Sequence, residues 1–474
     1  MVLGLGKVMG HRAVPAVLLA LALGGCALAR GSTAPPDPAI ALPAKWSDSG
    51  APKPDYDPAA YWQALNDPVL SQLVEEALKN NLDIAQSASR LASARETLRQ
   101  AHAAFLPQLS ASGSATRALG DGATSEITTS LGLNASWEID LFGKLGNSAN
   151  AARFDYQAAG YSLADLQRAI AGQVAQQVIS ARATAQQLAI ARNTLKNQDD
   201  NLQIAQWRLQ AGLVSSLDVE QARSQRASTA ASIPLLESSL AATSNAISTL
   251  IGEPPGRVLD LLSKPAAMPT PPALSTFVAP ADLLRRRPDI RGAEATLRAD
   301  LARVGVARSA LFPTLSLSGN IGTNDAGPVN LFDVVAGSVM GSITQLLFDG
   351  GRTSSRIRQA KDAADGALAA WRKSILTGLE ETESAIAARK SADARLGDLT
   401  EGLNAAQNAE LLARSQYQAG LTDFQTLLTS ESSLLAARNS LVSAEADRAT
   451  AFVRLTQALG GGWSPQDFDD RTSQ

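Results

Sequence analysis

The stretch SALFPTLSLSG, residues 309–319, changes its periodicity at Pro313. The residues before this proline are typical of a helix, and those after it alternate between leucine on one face and serine on the other. The stretch AAFLPQLSASG, residues 103–113, does the same around Pro107, 206 residues earlier. We therefore expect a helix to run directly into a strand twice, with Pro107 and Pro313 at the two helix-to-strand junctions.

The two stretches belong to a longer internal duplication. The Asp-Ile pair at 83–84 meets the same pair at 289–290 at this offset, and the match continues through both junctions. With a slip of two residues, Gln210–Leu213 meets Gln418–Leu421. Such a duplication predicts two similar halves, each with a short helix, two strands, a very long helix, a tight turn and a returning helix.

The long helices give the strongest periodic signal. No proline interrupts residues 147–210, and a helix of these 64 residues would measure about 96 Å. Leucine recurs every seven residues along its second half, which is typical of coiled-coil packing. The returning helices, expected at 217–250 and 423–459, carry the same spacing. Pro234 lies inside the first of them and predicts a bend.

Four strands with alternating faces are expected at residues 108–118, 127–141, 314–323 and 335–348. Paired strands of about ten residues are typical of a transmembrane β-barrel, although a soluble hairpin has the same pattern. Four strands cannot close a barrel, because known single-chain barrels begin at about eight strands. Several copies side by side would remove the open edges, and three copies would supply twelve strands above a tunnel of helices.

Composition excludes several classes of function. A formal net charge of -3 gives no strong attraction to nucleic acid, and the arginine run 285–287 is better explained by helix-end charge and salt bridges. Two histidines and one cysteine exclude disulfides and metal centres built on these residues. No serine, histidine and carboxylate can form a catalytic arrangement, so we expect no catalytic residue, no cofactor and no metal.

The N-terminus is typical of a secretory signal. An apolar run of 11 residues, 13–23, follows a cationic start and is too short to span a bilayer. The sequence Leu-Gly-Gly-Cys that ends at Cys26 resembles the lipobox of bacterial lipoproteins, in which the cysteine is lipidated. An ordinary signal with an incidental cysteine is the alternative. No other segment has 18 consecutive apolar residues, so no transmembrane helix is expected in the mature chain.

Five stretches together resemble the TolC-like outer-membrane efflux proteins, especially the lipoprotein branch that serves resistance-nodulation-division pumps. They are LGGC, ADLLRRRPDIRGAE, ALFPTLSLSG, QLLFDGGR and QYQAGLTDFQTLL, in the family's order and across nearly the whole mature chain. The resemblance implies a mainly α fold with transmembrane β, in which a long α-helical barrel is joined by four strands per chain. In a homotrimer these strands would contribute to a 12-stranded barrel.

The resemblance also implies a function and partners. The chain would be the exit channel of a tripartite efflux system, lipid-anchored in the bacterial outer membrane and extending into the periplasm. Its partners would be two sister copies, a periplasmic adaptor (membrane fusion protein), an inner-membrane pump and outer-membrane lipid, with no nucleic acid. The alternative is a periplasmic coiled-coil adaptor or spacer without a pore. The four strands favour the channel, and an enzyme is the weakest of the three hypotheses.

The resemblance places the two long-helix turns at the periplasmic tip, where the family meets its adaptor. The predicted contact residues are Leu209, Gly212, Leu213, Tyr417, Gly420 and Leu421. The alternative is that the glycines only end the helices. Thr422 and Asp423 are the predicted aperture constriction, and which of them faces the pore is left open. Asp423 would form an acidic ring in a trimer, and it equally suits a helix N-cap.

These predictions divide the chain into six segments. They are a lipoprotein signal peptide at 1–25, an extended N-terminal segment and equatorial wrap at 26–67, the first repeat at 68–250, a proline-rich inter-repeat segment at 251–281, the second repeat at 282–459, and a C-terminal tail at 460–474. Both proline-rich segments are expected to be extended rather than helical.

Overall fold

The computed structural model describes residues 34–41, 43, 46, 57–117, 119–120, 127–272, 286–326 and 335–464. A 3-10 helix, Pro58–Leu65, comes first. The elements that follow are α1 Pro68–Asn80, α2 Leu82–Ala103, β1 Gln108–Arg117, β2 Ile127–Ile139, α3 Lys144–Gln210, α4 Ser216–Leu250, α5 Arg257–Leu262, α6 Pro288–Ser309, β3 Thr314–Ala326, β4 Val335–Thr344, α7 Arg352–Gln418 and α8 Phe424–Ala458. None of these helices combines the length and the apolarity needed to cross a membrane.

The chain divides into two compact units. The strand unit contains the described residues of 1–40, 90–160 and 292–373, and the helical unit contains those of 41–89, 161–291 and 374–474. Each unit contains parts of both repeats. The strands of both repeats lie in the strand unit, and the returning helices of both repeats lie in the helical unit.

The strand unit holds one antiparallel sheet with the order β1-β2-β3-β4. Gln108 lies opposite Ser136, Ser136 lies opposite Ser318, and Thr314 lies opposite Thr344. The hairpins of the two repeats therefore lie side by side and pair through β2 and β3. Among the described residues, β1 and β4 are the edges of the sheet, and every residue of β1 is exposed.

Both helix-to-strand junctions are confirmed. Helix α2 ends at Ala103 and β1 begins at Gln108, while α6 ends at Ser309 and β3 begins at Thr314. Proline has no N–H for a helical hydrogen bond and its ring crowds the preceding turn, which favours the end of the helix at these two positions. The equivalent turns before the two prolines have matching hydrogen bonds, since the residue directly before each proline donates to a carbonyl three residues back at 3.0 Å.

The lengths of the long helices confirm the duplication. Helices α3 and α7 have 67 residues each, and α4 and α8 have 35 each. Helix α4 is assigned without interruption through Pro234. The expected helical boundaries were right to within a few residues, whereas β4 ends at Thr344 rather than at residue 348. The apolar residues after it, Leu347 and Phe348, are exposed.

The expectation that the proline-rich segments are wholly extended was wrong. The 3-10 helix begins where the Asp57 carboxylate accepts from the Ala59 amide at 2.9 Å and proline takes the next position. Aspartate followed by proline is a favourable start for a helix, because it caps free amides and fixes φ. Asp67 and Pro68 start α1 in the same way, and α5 forms within the segment between the repeats.

Two buried arginines form ion pairs in the helical unit. Arg182 of α3 pairs with Asp67 at 3.1 Å, and both side chains are buried. Arg287 is 1% exposed and pairs with Asp289 at 2.6 Å and with Glu381 at 2.7 Å. The interpretation of the arginine run as a salt-bridging element is confirmed for this residue, whereas the first arginine of the run lies outside the described residues.

Candidate functional site

The first tip turn joins α3 to α4. Gly212 has φ +71°, and its amide donates to the Leu209 carbonyl at 2.9 Å. The Leu213 amide donates to the Arg208 carbonyl at 2.8 Å. This pair of hydrogen bonds is the Schellman motif, in which the left-handed residue is nearly always glycine because a Cβ is unfavourable there.

The second tip turn, between α7 and α8, repeats this geometry. Gly420 has φ +73° and donates to the Tyr417 carbonyl at 3.1 Å, while Leu421 donates to the Gln416 carbonyl at 2.8 Å. A Cβ at either glycine would meet nothing within 4 Å, so the backbone conformation rather than lack of space requires the glycine. The prediction that these glycines end the helices is confirmed.

Each turn exposes one large apolar side chain. Leu213 is 73% exposed and Leu421 is 79% exposed, and we call this pair the tip leucines. The residue at this position of a Schellman motif frequently packs back on its own helix, and neither tip leucine is buried in this way. Leu209, the other leucine among the predicted contacts, is partly exposed at 38%. The tip leucines are therefore available to a partner in the isolated chain.

Tyr417, in contrast, lies in the core behind the turns. It is 6% exposed, and its ring lies 5.3 Å from that of Phe424. The surrounding cluster takes residues from both helical hairpins, α3 with α4 and α7 with α8. They are Ala205, Val219, Ala222, Ala413, Leu427 and Leu428. Tyr417 is thus positioned to support the tip, while the tip leucines form its surface.

Arg208 connects the ends of the two long helices. Its guanidinium lies 4.5 Å from the centre of the Tyr417 ring, and it donates to the carbonyls of Tyr417 at 3.3 Å and Gln418 at 3.4 Å. A cation at a helix C-terminus satisfies free carbonyls and interacts favourably with the helix dipole. Sequence reasoning missed Arg208, because its partners belong to the other repeat.

Asp423 is the N-cap of α8, which is one of the two roles predicted for it. Its Oδ1 accepts from the Thr426 amide at 2.8 Å. Hydrogen bonds from the Thr426 side chain and amide lower the pKa of Asp423 below its ordinary value, so the carboxylate is charged at neutral pH. Thr422 beside it is half-buried. In the first turn, Asp218 accepts from the Ser215 amide at 3.3 Å.

The second helix-to-strand junction borders a cavity in the strand unit. The cavity has a volume of about 450 Å³, and Pro313 and Phe312 contribute to its wall. Phe142 stacks on Phe312 with ring centres 5.0 Å apart, and Lys144 pairs with Glu138 at 2.8 Å on the same wall. The junction proline therefore ends a helix beside a packed aromatic pair.

No metal centre is found in the part of the chain that the structure describes. No group of three or more histidine, cysteine, aspartate or glutamate side chains there is placed to hold a metal ion. Cys26, the predicted lipidation site, lies outside the described residues.

Comparison with known families matches both repeats. The family model described as "Outer membrane efflux protein" matches residues 73–253 and 279–461. The unmatched gap coincides with the proline-rich segment between the repeats.

Curated relatives and solved structures match nearly the whole chain. Nodulation protein T of Rhizobium leguminosarum bv. trifolii is 31% identical over 455 residues, covering 94% of this chain and 96% of the relative. The pyoverdine export outer membrane protein OpmQ of Pseudomonas aeruginosa is 32% identical over 457 residues, covering 94% of this chain and 95% of the relative. The structure of the outer-membrane channel OprN superimposes with a TM-score of 0.80 at 32% identity, covering 92% of this chain and all of that one. The predicted mainly helical fold with four strands is confirmed.

Proposed function

The chain belongs to the outer membrane efflux protein family, and from this we propose that it is the outer-membrane exit channel of a tripartite efflux system. It would conduct substrates passively from a periplasmic adaptor and an inner-membrane pump to the exterior. The observation that carries the proposal is a four-stranded sheet whose two edge strands have no partner among the described residues, in a chain that matches the family along both repeats. The relatives are outer-membrane efflux and export proteins, which favours the channel over the adaptor hypothesis.

The proposed assembly is a homotrimer in the outer membrane. An unpaired strand edge presents free N–H and C=O groups, which lipid cannot satisfy. Three copies placed side by side would pair each β4 with the β1 of the next copy and close a barrel of twelve strands. Lipidation of Cys26 would anchor each copy, and each copy would contribute two repeats, at 68–250 and 282–459.

The proposed tip contacts the adaptor and narrows the channel. The tip leucines supply an exposed apolar surface supported by Gly212 and Gly420, and Tyr417 holds that surface in place. Thr422 and Asp423 lie at the second turn, where three copies round an axis would present three carboxylates. The pump partner would be of the resistance-nodulation-division type.

Conductance across a planar bilayer tests the channel function. We expect the purified full-length protein to conduct, and Asp423→Asn to lower the preference for cations over anions. Asparagine keeps the helix cap while it removes the charge, so the variant should fold normally. Reversal potentials in a salt gradient measure the preference. A protein that forms no conducting pore, and is a monomer in mild detergent, contradicts the proposal.

The internal repeat also predicts the strand pairing between copies. Residues of β1 correspond to residues of β3, and residues of β2 correspond to residues of β4, because Gln108–Ser136 and Thr314–Thr344 are equivalent pairs. Within the chain, Asn134 of β2 lies opposite Asn320 of β3. The counterpart of Asn134 in β4 is Ser342, and the counterpart of Asn320 in β1 is Ser114. If β4 and the β1 of the next copy pair in the same register, Ser342 lies opposite Ser114.

A double-cysteine variant, Ser342→Cys with Ser114→Cys, is therefore expected to form disulfides between copies. Directly opposed residues on paired strands have Cα atoms about 4.5–5.5 Å apart, which suits a disulfide. The control pairs Ser342→Cys with Ser110→Cys, which lies about 13 Å further along the strand. Denaturing gels without reductant should show linked trimers for the first variant only. Linkage through the control pair contradicts this register, and a monomer contradicts the trimer itself.

A further inference from the structure

A buried glutamate bonds to both helical hairpins just behind the tip. Glu431 lies on α8 and is 8% exposed. Its Oε1 accepts from Asn201 Nδ2 at 2.5 Å and from Arg414 Nη2 at 3.2 Å. Asn201 belongs to α3 of the first hairpin, and Arg414 belongs to α7 of the second. One carboxylate oxygen therefore joins three helices and both repeats.

Arg414 is shared between two carboxylates. The same Nη2 lies 2.5 Å from Oε1 of Glu410, one turn earlier on α7. Of the helices packed against Glu431, α7 contributes the two charged groups that act on it, Arg414 and Glu410, and α3 contributes the neutral amide of Asn201. With both glutamates ionised, the cluster holds two negative charges and one positive charge.

The second oxygen of Glu431 has no hydrogen bond. Oε2 is buried, and no group in the described residues donates to it. A buried acceptor without a donor is destabilising, and more so when it is charged. A proton on Oε2 would neutralise this carboxylate and would leave Arg414 and Glu410 as a balanced pair. The cluster therefore lacks one positive charge, and Oε2 is the buried atom of Glu431 that a proton would occupy.

We propose that Glu431 is a proton-binding site of the protein and that proton uptake strengthens the contact between the two hairpins behind the tip. The ligand is the hydrogen ion, bound to Oε2 of a carboxylate whose Oε1 keeps its bonds to α3 and α7. The consequence for transport rests on the proposed channel function, whereas the proton site itself does not.

The direction of the pH response follows from burial. Burial raises the pKa of Glu431 above its ordinary value of 4.5; Asn201 and Arg414 oppose the increase, and Glu410 adds to it. The folded protein then holds the proton more tightly than the unfolded chain does. Stability therefore increases as the pH falls through the raised pKa, and the gain is complete below the ordinary pKa. The hairpins should be held together more firmly in mild acid than at neutral pH.

Hydrogen exchange of the full-length protein in lipid nanodiscs tests this site. We expect amides of residues 201–216 and 414–431 to exchange more slowly at about pH 5 than at about pH 8, after correction for the chemical exchange rate. The protection factor should rise up to about tenfold for each pH unit between the ordinary and raised pKa. Glu431→Gln should show the same high protection at both pH values, because the amide is neutral throughout.

Two further variants keep the test decisive. Glu401→Gln alters an exposed glutamate of α7 and should keep the response of the unmodified protein. Arg414→Gln removes the only cation of the cluster and should move the response to higher pH. The proposal is overturned if Glu431→Gln keeps the response of the unmodified protein, or if the midpoint is unchanged in Arg414→Gln. If the protein conducts but its hydrogen exchange does not depend on pH, the proton site alone is overturned. If the hydrogen exchange depends on pH but the protein never conducts, the channel function alone is overturned.

Discussion

Arg287→Ala is expected to destabilise the folded chain by about 3–5 kcal/mol, the usual cost of leaving one partner of a buried ion pair without the other. Arg287 is 1% exposed, and besides Asp289 and Glu381 it donates to the Ala458 carbonyl at 3.2 Å. The substitution thus removes the guanidinium partner of the Asp289 carboxylate and opens a cavity, and it leaves the Ala458 carbonyl only its bond from the Thr382 hydroxyl at 3.3 Å. Denaturant unfolding in detergent, followed by helical circular dichroism, measures the loss.

The pH dependence of unfolding separates this ion pair from simple loss of packing. Burial alone would raise the pKa of Asp289, but hydrogen bonding and charge from Arg287 outweigh it and hold the pKa below 3.8. This stabilisation is present above the ordinary pKa and is lost as the pH falls through the lowered one. In Arg287→Ala burial still raises the pKa of Asp289, and only the weaker effects of Arg168 and of the Ile290 amide lower it, so the response of Asp289 to acid should weaken or reverse.

The neighbouring arginine provides a matched control. Arg286 is exposed, and Arg286→Ala should change stability by less than about 0.5 kcal/mol. Arg287→Lys keeps a charge but loses the planar fork that reaches several acceptors, so it should fall between the two. Equal losses for the two alanine variants would show that the ion pair contributes nothing specific.

The sequence predicted the elements best where one local rule decided the outcome. At both junctions a proline closely follows the helix and a strand pattern follows the proline, so both were placed correctly, whereas α4 continues through Pro234. The duplication made the two long helices and the two returning helices equal in length. Strand β4 was extended too far, because the apolar run Leu346–Phe348 after Thr344 was read as part of the strand, although no strand of the described residues pairs with it. The small helices of the proline-rich segments were not predicted, because the prolines were taken as signs of extended chain and the residues that cap these helices were not considered.

The site was predictable only in its backbone. Glycine after a long helix predicts a Schellman turn, and both turns have that geometry. The contacts behind the turns join residues that are far apart in sequence, such as Arg208 with Tyr417 and Asn201 with Glu431. No local pattern distinguishes an arginine that caps another helix from one on a solvated face. Burial also reversed the expected place of Tyr417, which lies inside the tip rather than on it.

Replacing both tip leucines, with Leu213→Glu and Leu421→Glu, is expected to abolish efflux while the protein still folds and assembles. Both side chains are largely exposed, so the substitution removes no core packing in the isolated chain. Charge at the centre of a protein interface must be desolvated without a partner, which typically costs several kcal/mol per residue. Every 1.4 kcal/mol lowers the affinity for a partner tenfold, so two such changes would leave the adaptor largely unbound.

Leu235→Glu separates this effect from the general cost of adding charge. Leu235 is 72% exposed on α4, like the tip leucines, and it lies well away from the turn in sequence. Cells that lack the gene should regain resistance to pump substrates when they express the Leu235 variant, and they should stay sensitive with the double tip variant. Both purified proteins should still conduct, because neither change touches the strand unit. Restored resistance with the double variant would place the adaptor contact elsewhere, and lost conductance would show that the tip leucines serve the pore itself.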